Sequence, residues 1–303
     1  MRKKLFCCLI AVVITMAGAL ALGNSSTIPV NTEGVPIEII DEYLSENGFS
    51  EEFILQTGEQ TKRALYEEGG VFDSDSELNI SPLLDLGQDW EGFTATLTAS
   101  HLSYEDNVST KFLVFNWKWN TSVPLNVLCD AVSIYWGDSF TAIPSSAGFE
   151  ISGRGTAYEA EQRHPGPGME SLPFELSSLS FLFISGDSAI TQYEPNVGIA
   201  FKFNVDENMT KKMYYGSSWA DYRIAMNDFG GSYSIKIVKT NSNPNYNGYN
   251  SAVANYFRWT STTTYDFSFS IGYPGGVNLN IDPNLESYYE KSVDKAVSFR
   301  YMN

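Results

Sequence analysis

Cysteine, histidine and basic residues are all scarce in this 303-residue chain, and each scarcity removes a class of function. It has three cysteines and two histidines, and 19 Lys and Arg stand against 36 Asp and Glu. Cys7 and Cys8 fall in an N-terminal apolar run, and Cys129 stands alone. A monomer that has lost that run therefore has no internal disulfide, unlike many exported proteins. This points to a producer that does not rely on oxidative folding, such as a Gram-positive bacterium. Cys129 lies between Val127-Leu128 and Ala131-Val132, a setting for a buried structural thiol rather than a nucleophile. There is no His-Glu-x-x-His helix, no Cys or His pair at ligand spacing and no Gly-rich phosphate loop, so no metal site is assigned. No basic block follows Lys4, and Lys211-Lys212 is the densest pair. Nucleic acid and anionic lipid headgroups, which depend on clustered Lys and Arg, are excluded as expected partners.

What the chain does have begins at its first residues. Arg2, Lys3 and Lys4 precede an apolar run from Leu5 to Leu22, closed by small residues around Ala19, Ala21 and Gly23. This is the pattern of a signal peptide over 1–23, cleaved near Ala21–Gly23, and it makes the expected location extracellular. Small residues and the polar Asn24-Ser25-Ser26 speak against an uncleaved anchor, so no stable membrane insertion is expected. Removal of three positive charges takes the formal net charge from −17 to about −20. Such an acidic balance accounts for solubility and assigns no partner.

The expected organisation continues with a disordered stretch over 24–34 and a small helical segment over 35–70. In the latter, Ile37, Ile40 and Leu44 share a helical face, Pro36 suits a first helical position, and Asn47-Gly48 ends the helix. Ser50 can cap a second turn carrying Phe53 and Ile54. Thr57 and Gln60 match the capping-box spacing for a third segment, closed by Gly69-Gly70. These helices are too short to form an independent domain and read as a docking element or pro-segment. An acidic, Ser-rich linker is expected over 71–89, its most acidic part beginning at Asp73.

From about residue 90 to 303 the apolar period switches from 3.6 to 2. Phe93, Ala95, Leu97 and Ala99 alternate with threonines, and Val197, Ile199, Phe201, Phe203 and Val205 do the same against their neighbours. Tyr265, Phe267, Phe269 and Ile271 face Val277, Leu279 and Ile281 across Pro274-Gly275-Gly276, a hairpin signal. Phe112–Phe115 and Leu179–Ile184 are apolar on both faces and would be central strands. Further strands are expected near 129–136, 147–157, 232–238, 252–260 and 297–302, and one late helix, capped by Asp282 and carrying Leu285, Tyr288, Tyr289 and Val293. Links rich in Gly, Pro, Asn and Ser rather than long helices imply a mainly β fold: an antiparallel β-sandwich-like domain preceded by the helical segment.

No motif in the chain assigns an activity. Gly137-Asp138-Ser139 and Gly186-Asp187-Ser188 look like serine nucleophile blocks, but a serine hydrolase needs a placed base, and His164 follows only 25 residues after Ser139. Asp130, Asp138, Glu150, Glu159 and Glu161 are the carboxylates that paired glycoside cleavage would draw on, which makes a secreted glycoside-type hydrolase the alternative reading. Asp73, Asp75 and Glu77 open like a calcium loop, but Leu78 and Leu84 occupy the turn-glycine and bidentate-glutamate positions. No cofactor is expected, apart from weak calcium binding by an acidic loop. Thr260–Asp282 alternates as the hairpins of pore-forming proteins do, a less favoured reading because any exposed antiparallel hairpin alternates.

Aromatic residues supply the candidate ligand-binding set. Trp117 and Trp119 lie two apart on one strand face, and Trp136 falls on a neighbouring predicted strand. Tyr246 and Tyr249 sit in Asn245-Tyr246-Asn247-Gly248-Tyr249-Asn250. Aromatic faces with amide side chains suit sugar rings, so the expectation is a non-enzymatic extracellular binding protein for cell-wall or surface glycan.

Overall fold

The computed structural model describes residues 32–75, 92–102, 110–119, 129–137, 139–164, 174–203, 210–215, 218–240, 248–259, 268–272, 276–280 and 289–301. The expected signal peptide, most of the linker, Asp138, Tyr246 and the start of the expected late helix lie outside the described residues.

Three short helices open the described chain: α1 (Ile37–Glu46), α2 (Glu51–Gln56) and α3 (Glu59–Glu67). Pro36 stands as the N-cap of α1, one position earlier than expected, and Gly48 ends the segment with φ of 90°. The Ser50 hydroxyl accepts the Phe53 N–H at 3.1 Å and caps α2. The capping box expected for α3 does not form. Gly58 is its N-cap, the Thr57 hydroxyl donates back to the Phe53 carbonyl at 2.7 Å, and the Gln60 N–H is held by Glu150, 90 residues away, at 3.0 Å. Gly69, with φ of 65°, then turns the chain into the first strand.

The strands are β1 (Gly70–Asp75), β2 (Phe93–Leu102), β3 (Thr110–Trp119), β4 (Cys129–Trp136), β5 (Phe140–His164), β6 (Phe174–Ser185) and β7 (Gln192–Glu194). They continue with β8 (Gly198–Phe203), β9 (Thr210–Tyr215), β10 (Ser218–Lys239), β11 (Gly248–Trp259), β12 (Ser268–Gly272), β13 (Gly276–Asn280) and β14 (Tyr289–Tyr301). The pairing is antiparallel in all three sheets. The first sheet runs β1-β2-β3-β10-β5-β6 with β9 added against β10, the second runs β14-β11-β4-β8-β7, and β12 pairs only with β13. That pair is the hairpin expected across Pro274-Gly275-Gly276, with Ile271 opposite Val277 and Phe269 opposite Leu279.

The two large sheets stack as a sandwich. From the first, Leu97, Ala99, Leu113, Phe115, Trp117, Phe149, Ile151, Tyr233 and Ile235 face inward; from the second, Val132, Ile134, Trp136, Ile199, Phe201, Ala254, Tyr256 and Val297 meet them. The opposite face of the first sheet is covered too. Leu102, Phe112 and Val114 pack under Ile40, Leu44, Phe49, Phe53, Ile54 and Leu65 of the helical segment. That double cover makes β3 apolar on both faces, as Phe112–Phe115 implied. It also explains why Thr98 and Ser100, expected on an open face of β2, are buried. The helical segment is thus a third layer of the same body.

Three expectations are corrected, and two expected strands prove longer than foreseen. Asp73 and Asp75, assigned to the linker, belong to β1, where Asp73 falls at a register shift against β2 and accepts the buried Lys111 ammonium. Leu179–Ile184 lies in β6, at an edge rather than the centre of the first sheet. Tyr289 and Val293, expected on a helical face, are strand residues paired with Trp259 and Tyr256, because an available β11 edge outweighs a short helical period. The strands expected over 147–157 and 232–238 are parts of β5 and β10, which are 25 and 22 residues long.

Among the described strand glycines, Gly230-Gly231 of β10 leave the least room for a side chain. A Cβ on Gly231 would stand 2.3 Å from the Trp117 ring and 2.6 Å from the Glu150 carbonyl, and backbone cannot yield to it. Gly231→Ala is therefore expected to cost about 2–3 kcal/mol in urea unfolding. Gly148→Ala, which meets only the Ser234 hydroxyl at 2.9 Å, should cost distinctly less.

Candidate functional site

The tryptophans proposed as ligand platforms do not reach the surface. Trp117, Trp119 and Trp136 are 0%, 7% and 2% exposed. Trp117 packs against Phe115, Phe149, Phe203 and Tyr256, with ring centroids 5.7 to 6.1 Å apart. Trp119 meets Phe93 at 4.7 Å, and the Trp136 indole N–H donates to the Phe140 carbonyl at 3.0 Å. Their faces are spent on the core, so a stacking platform cannot be built from these three residues. The spacing of Trp117 and Trp119 gave their shared face correctly, but that face is the one the second sheet covers.

The carboxylates are likewise separated by the fold. Glu150 alternates with Phe149 and Ile151 and so points to the helical layer. There its carboxylate holds the first turn of α3, beside the Gly58 N–H, which donates to the Ser232 hydroxyl at 2.9 Å. That hydroxyl donates to the Asn116 Oδ1 at 2.8 Å, and the Asn116 Nδ2 donates to Thr57 Oγ1 at 2.8 Å. A Cβ at Gly58 would stand 2.2 Å from the Glu150 carboxylate, so a larger residue there would displace that side chain. Asp130 lies on the other side of the first sheet, between the sheets, where it accepts the Tyr256 hydroxyl. The sheet therefore stands between Glu150 and Asp130, and the two cannot flank one glycosidic bond. Glu159 and Glu161 lie further along β5, where backbone pairing alone is described.

Burial raises the Glu150 pKa above its usual 4.5; N–H groups of Gln60, Thr61 and Glu59 act in the opposite direction, and the Glu59 charge reinforces the rise. The histidines do not form a site with it. His101 lies opposite Lys111 in the β2–β3 pairing, and its pKa is lowered by burial and by the Lys111 charge, against a smaller upward pull from Asp73. His164 ends β5 opposite Trp219 of β10. Among the described residues no group of three or more His, Cys, Asp or Glu is placed to hold a metal ion.

The tyrosine segment has a different placement. Gly248 opens β11, and Tyr249 and Asn250 pair with Arg300 and Phe299 of β14. The Asn250 amide closes on the turn between β4 and β5: a Cβ at Gly137 would meet its Oδ1 at 2.8 Å and its Nδ2 at 3.3 Å. Two further segments meet there. The Trp136 N–H donates to Val197 at 2.8 Å, and the Thr240 N–H donates to Ser139 at 2.9 Å. Tyr249 and Asn250 therefore enter the second sheet at a rim built from the ends of β4, β10 and the β7–β8 turn. The Asn250 contact with this rim is a residue-level feature that the sequence did not single out.

A raised carboxyl pKa means that the folded state keeps its proton where the unfolded chain has lost it. The stability this contributes is full below 4.5 and is lost as pH rises through the folded value. Glu150→Gln retains an acceptor for Gln60, and its unfolding midpoint should gain on the native protein as pH rises from about 4.5 to 7. Glu150→Ala leaves buried N–H groups unpaired and should cost about 1–3 kcal/mol. A difference between Glu150→Gln and native protein that stays constant across this range would remove the buried ionisation.

No protein-family model and no curated protein matches the sequence. Among solved structures, the collagen-binding subdomain of the Enterococcus faecalis surface protein ACE is similar at 8% identity and a TM-score of 0.26, covering 71% of this chain and 99% of that chain. The collagen-binding domain of a Staphylococcus aureus adhesin is similar at 10% identity and a TM-score of 0.25, over 69% of this chain and 99% of that one. A pore-forming protein is similar at 8% identity and 0.28, over 70% and 88%. At such scores the likenesses carry no argument, and the sandwich architecture of this chain rests on its own strand order and core.

Proposed function

We propose that this chain is an extracellular, non-enzymatic binding protein whose rim, at the start of β11, engages cell-wall or other surface glycan. The N-terminal leader pattern supports export. The observation that carries the reading is the placement of Tyr249 and Asn250 at the start of a strand, where the ends of β4 and β10 and the β7–β8 turn meet. Tyr246 precedes Tyr249 by three residues, so the segment brings a second aromatic to the same stretch of chain. Aromatic rings supply an apolar platform for a sugar face, and the asparagines supply donors and acceptors for hydroxyl groups. Rigid strands holding a loop rim are a common way to present such groups. The hydrolase reading loses support because Glu150 is used as a helix cap and Asp130 faces the core. The pore-forming reading rests on the β12–β13 alternation, which any exposed antiparallel hairpin shares.

The test is co-sedimentation of the chain from Asn24 onward with purified Gram-positive cell walls, with and without calcium. Saturable binding, competed by soluble glycan and weakened about tenfold by Tyr246→Ala together with Tyr249→Ala, is the expected outcome, a loss of about 1.4 kcal/mol. Full binding by the folded double variant would take the site away from this rim. Absence of binding in both conditions would end the cell-wall assignment for the material tested.

A further inference from the structure

Lysine ion pairs recur among the described residues, and one of them is set apart by its burial. Lys62 and Lys236 reach Asp41 and Glu68 at 2.8 and 2.7 Å with side chains 11% and 15% exposed. Lys111 reaches Asp73 at 2.5 Å with its side chain 1% exposed. Lys111 alternates with Phe112, which faces the helical layer, so it points inward on the side of Leu113. Its partners in register are Ile237 of β10, a core residue, and His101 of β2.

Asp73 comes from β1, two strands away in the sheet order. It is the residue left over at the register shift between Phe72 and Ser74, and a bulge of this kind re-aims a side chain. The irregularity of β1 thus sends a carboxyl across β2 to the buried amine.

We infer that Lys111 and Asp73 are joined by an amide bond formed within the chain, a covalent link from β1 to β3. An ion pair taken out of water is held at a desolvation cost that a neutral amide does not carry. Contact imposed by the fold supplies the drive: reactants held in place reach effective concentrations of about 10⁵–10⁸ M, and a condensation that is unfavourable between free groups in water then proceeds. One proton passes from the ammonium to the carboxylate and neutralises the pair. Lys111 Nζ attacks Asp73 Cγ, the Nζ–Cγ bond forms and one Cγ–Oδ bond breaks. The departing oxygen leaves as water, with the proton the acid already holds and one from Nζ, and no other reactant enters. His101 lies opposite Lys111, and burial first, then the Lys111 charge, lowers its pKa, so a neutral imidazole stands beside the pair to carry that proton. The link closes the chain across residues 74–110 and ties β1, into which the helical layer runs, to an interior strand of the first sheet. Without its leader the chain has one cysteine, Cys129, and no internal disulfide to serve this purpose.

Intact-mass spectrometry reads the bond directly in the chain from Asn24 onward, purified folded and then denatured. The expected mass is one water below that of the sequence, and Lys111→Met or Asp73→Ala restores the full value. Digestion after glutamate cuts between the two positions at Glu77, Glu91 and Glu105, and is expected to leave the Asp73 and Lys111 peptides joined. Native protein at the full sequence mass overturns the proposal, and that measurement needs no variant to fold. A lost water confined to the Asp73 peptide, as a cyclised aspartate gives, overturns it as well.

Discussion

The part of the first sheet around β3 is buried on both faces, and the described layers are arranged around that constraint. An antiparallel sheet with one wet face needs one apolar face. Here β3 and the second half of β10 must satisfy two covers, the second sheet inside and the helical layer outside. The inner side is met with large rings. The outer side is met with Phe112 and Val114 and then, along the same strand, with Asn116. Buried amides and hydroxyls are costly unless paired. Asn116 and Ser232 are paired with each other and with Thr57 and the Gly58 backbone, so the groups that fix the helices in place are the groups the sheet would otherwise leave unsatisfied.

This arrangement divides the chemistry of the chain. Side chains that a sequence suggests for ligand work, the tryptophans and the carboxylates, are drawn into the layers. Glu150 becomes a distant cap for α3, completing a helix start that has no capping side chain of its own. Asp130 becomes an acceptor for Tyr256 in an aromatic core. The ion pairs follow the same economy: Lys236 reaches Glu68 at the end of the helical layer at 2.7 Å, and Lys62 reaches Asp41 within it at 2.8 Å. Among the described residues, the strand ends and the flanks are what stay outside these layers.

Legibility in the sequence follows the range of the interaction concerned. The Ser50 cap and the Gly48 stop are settled within four residues and were readable, as were the strand alternation of β2 and β8 and the β12–β13 hairpin. The Thr57–Gln60 box was a sound local pattern that lost to a carboxylate 90 residues away. Tyr289 to Val293 fits a helical period and a strand equally, and β11 decided between them. Leu179–Ile184 has the composition of a central strand, and composition carries no record of which strand ends a sheet. The helical layer over β3 was not foreseen, although the two-faced apolar run of Phe112–Phe115 asked for some cover. Of the candidate site, Tyr246 lies outside the described residues and Tyr249 falls at the start of β11, while the burial of Trp117, Trp119 and Trp136 depends on the second sheet and is invisible in their spacing.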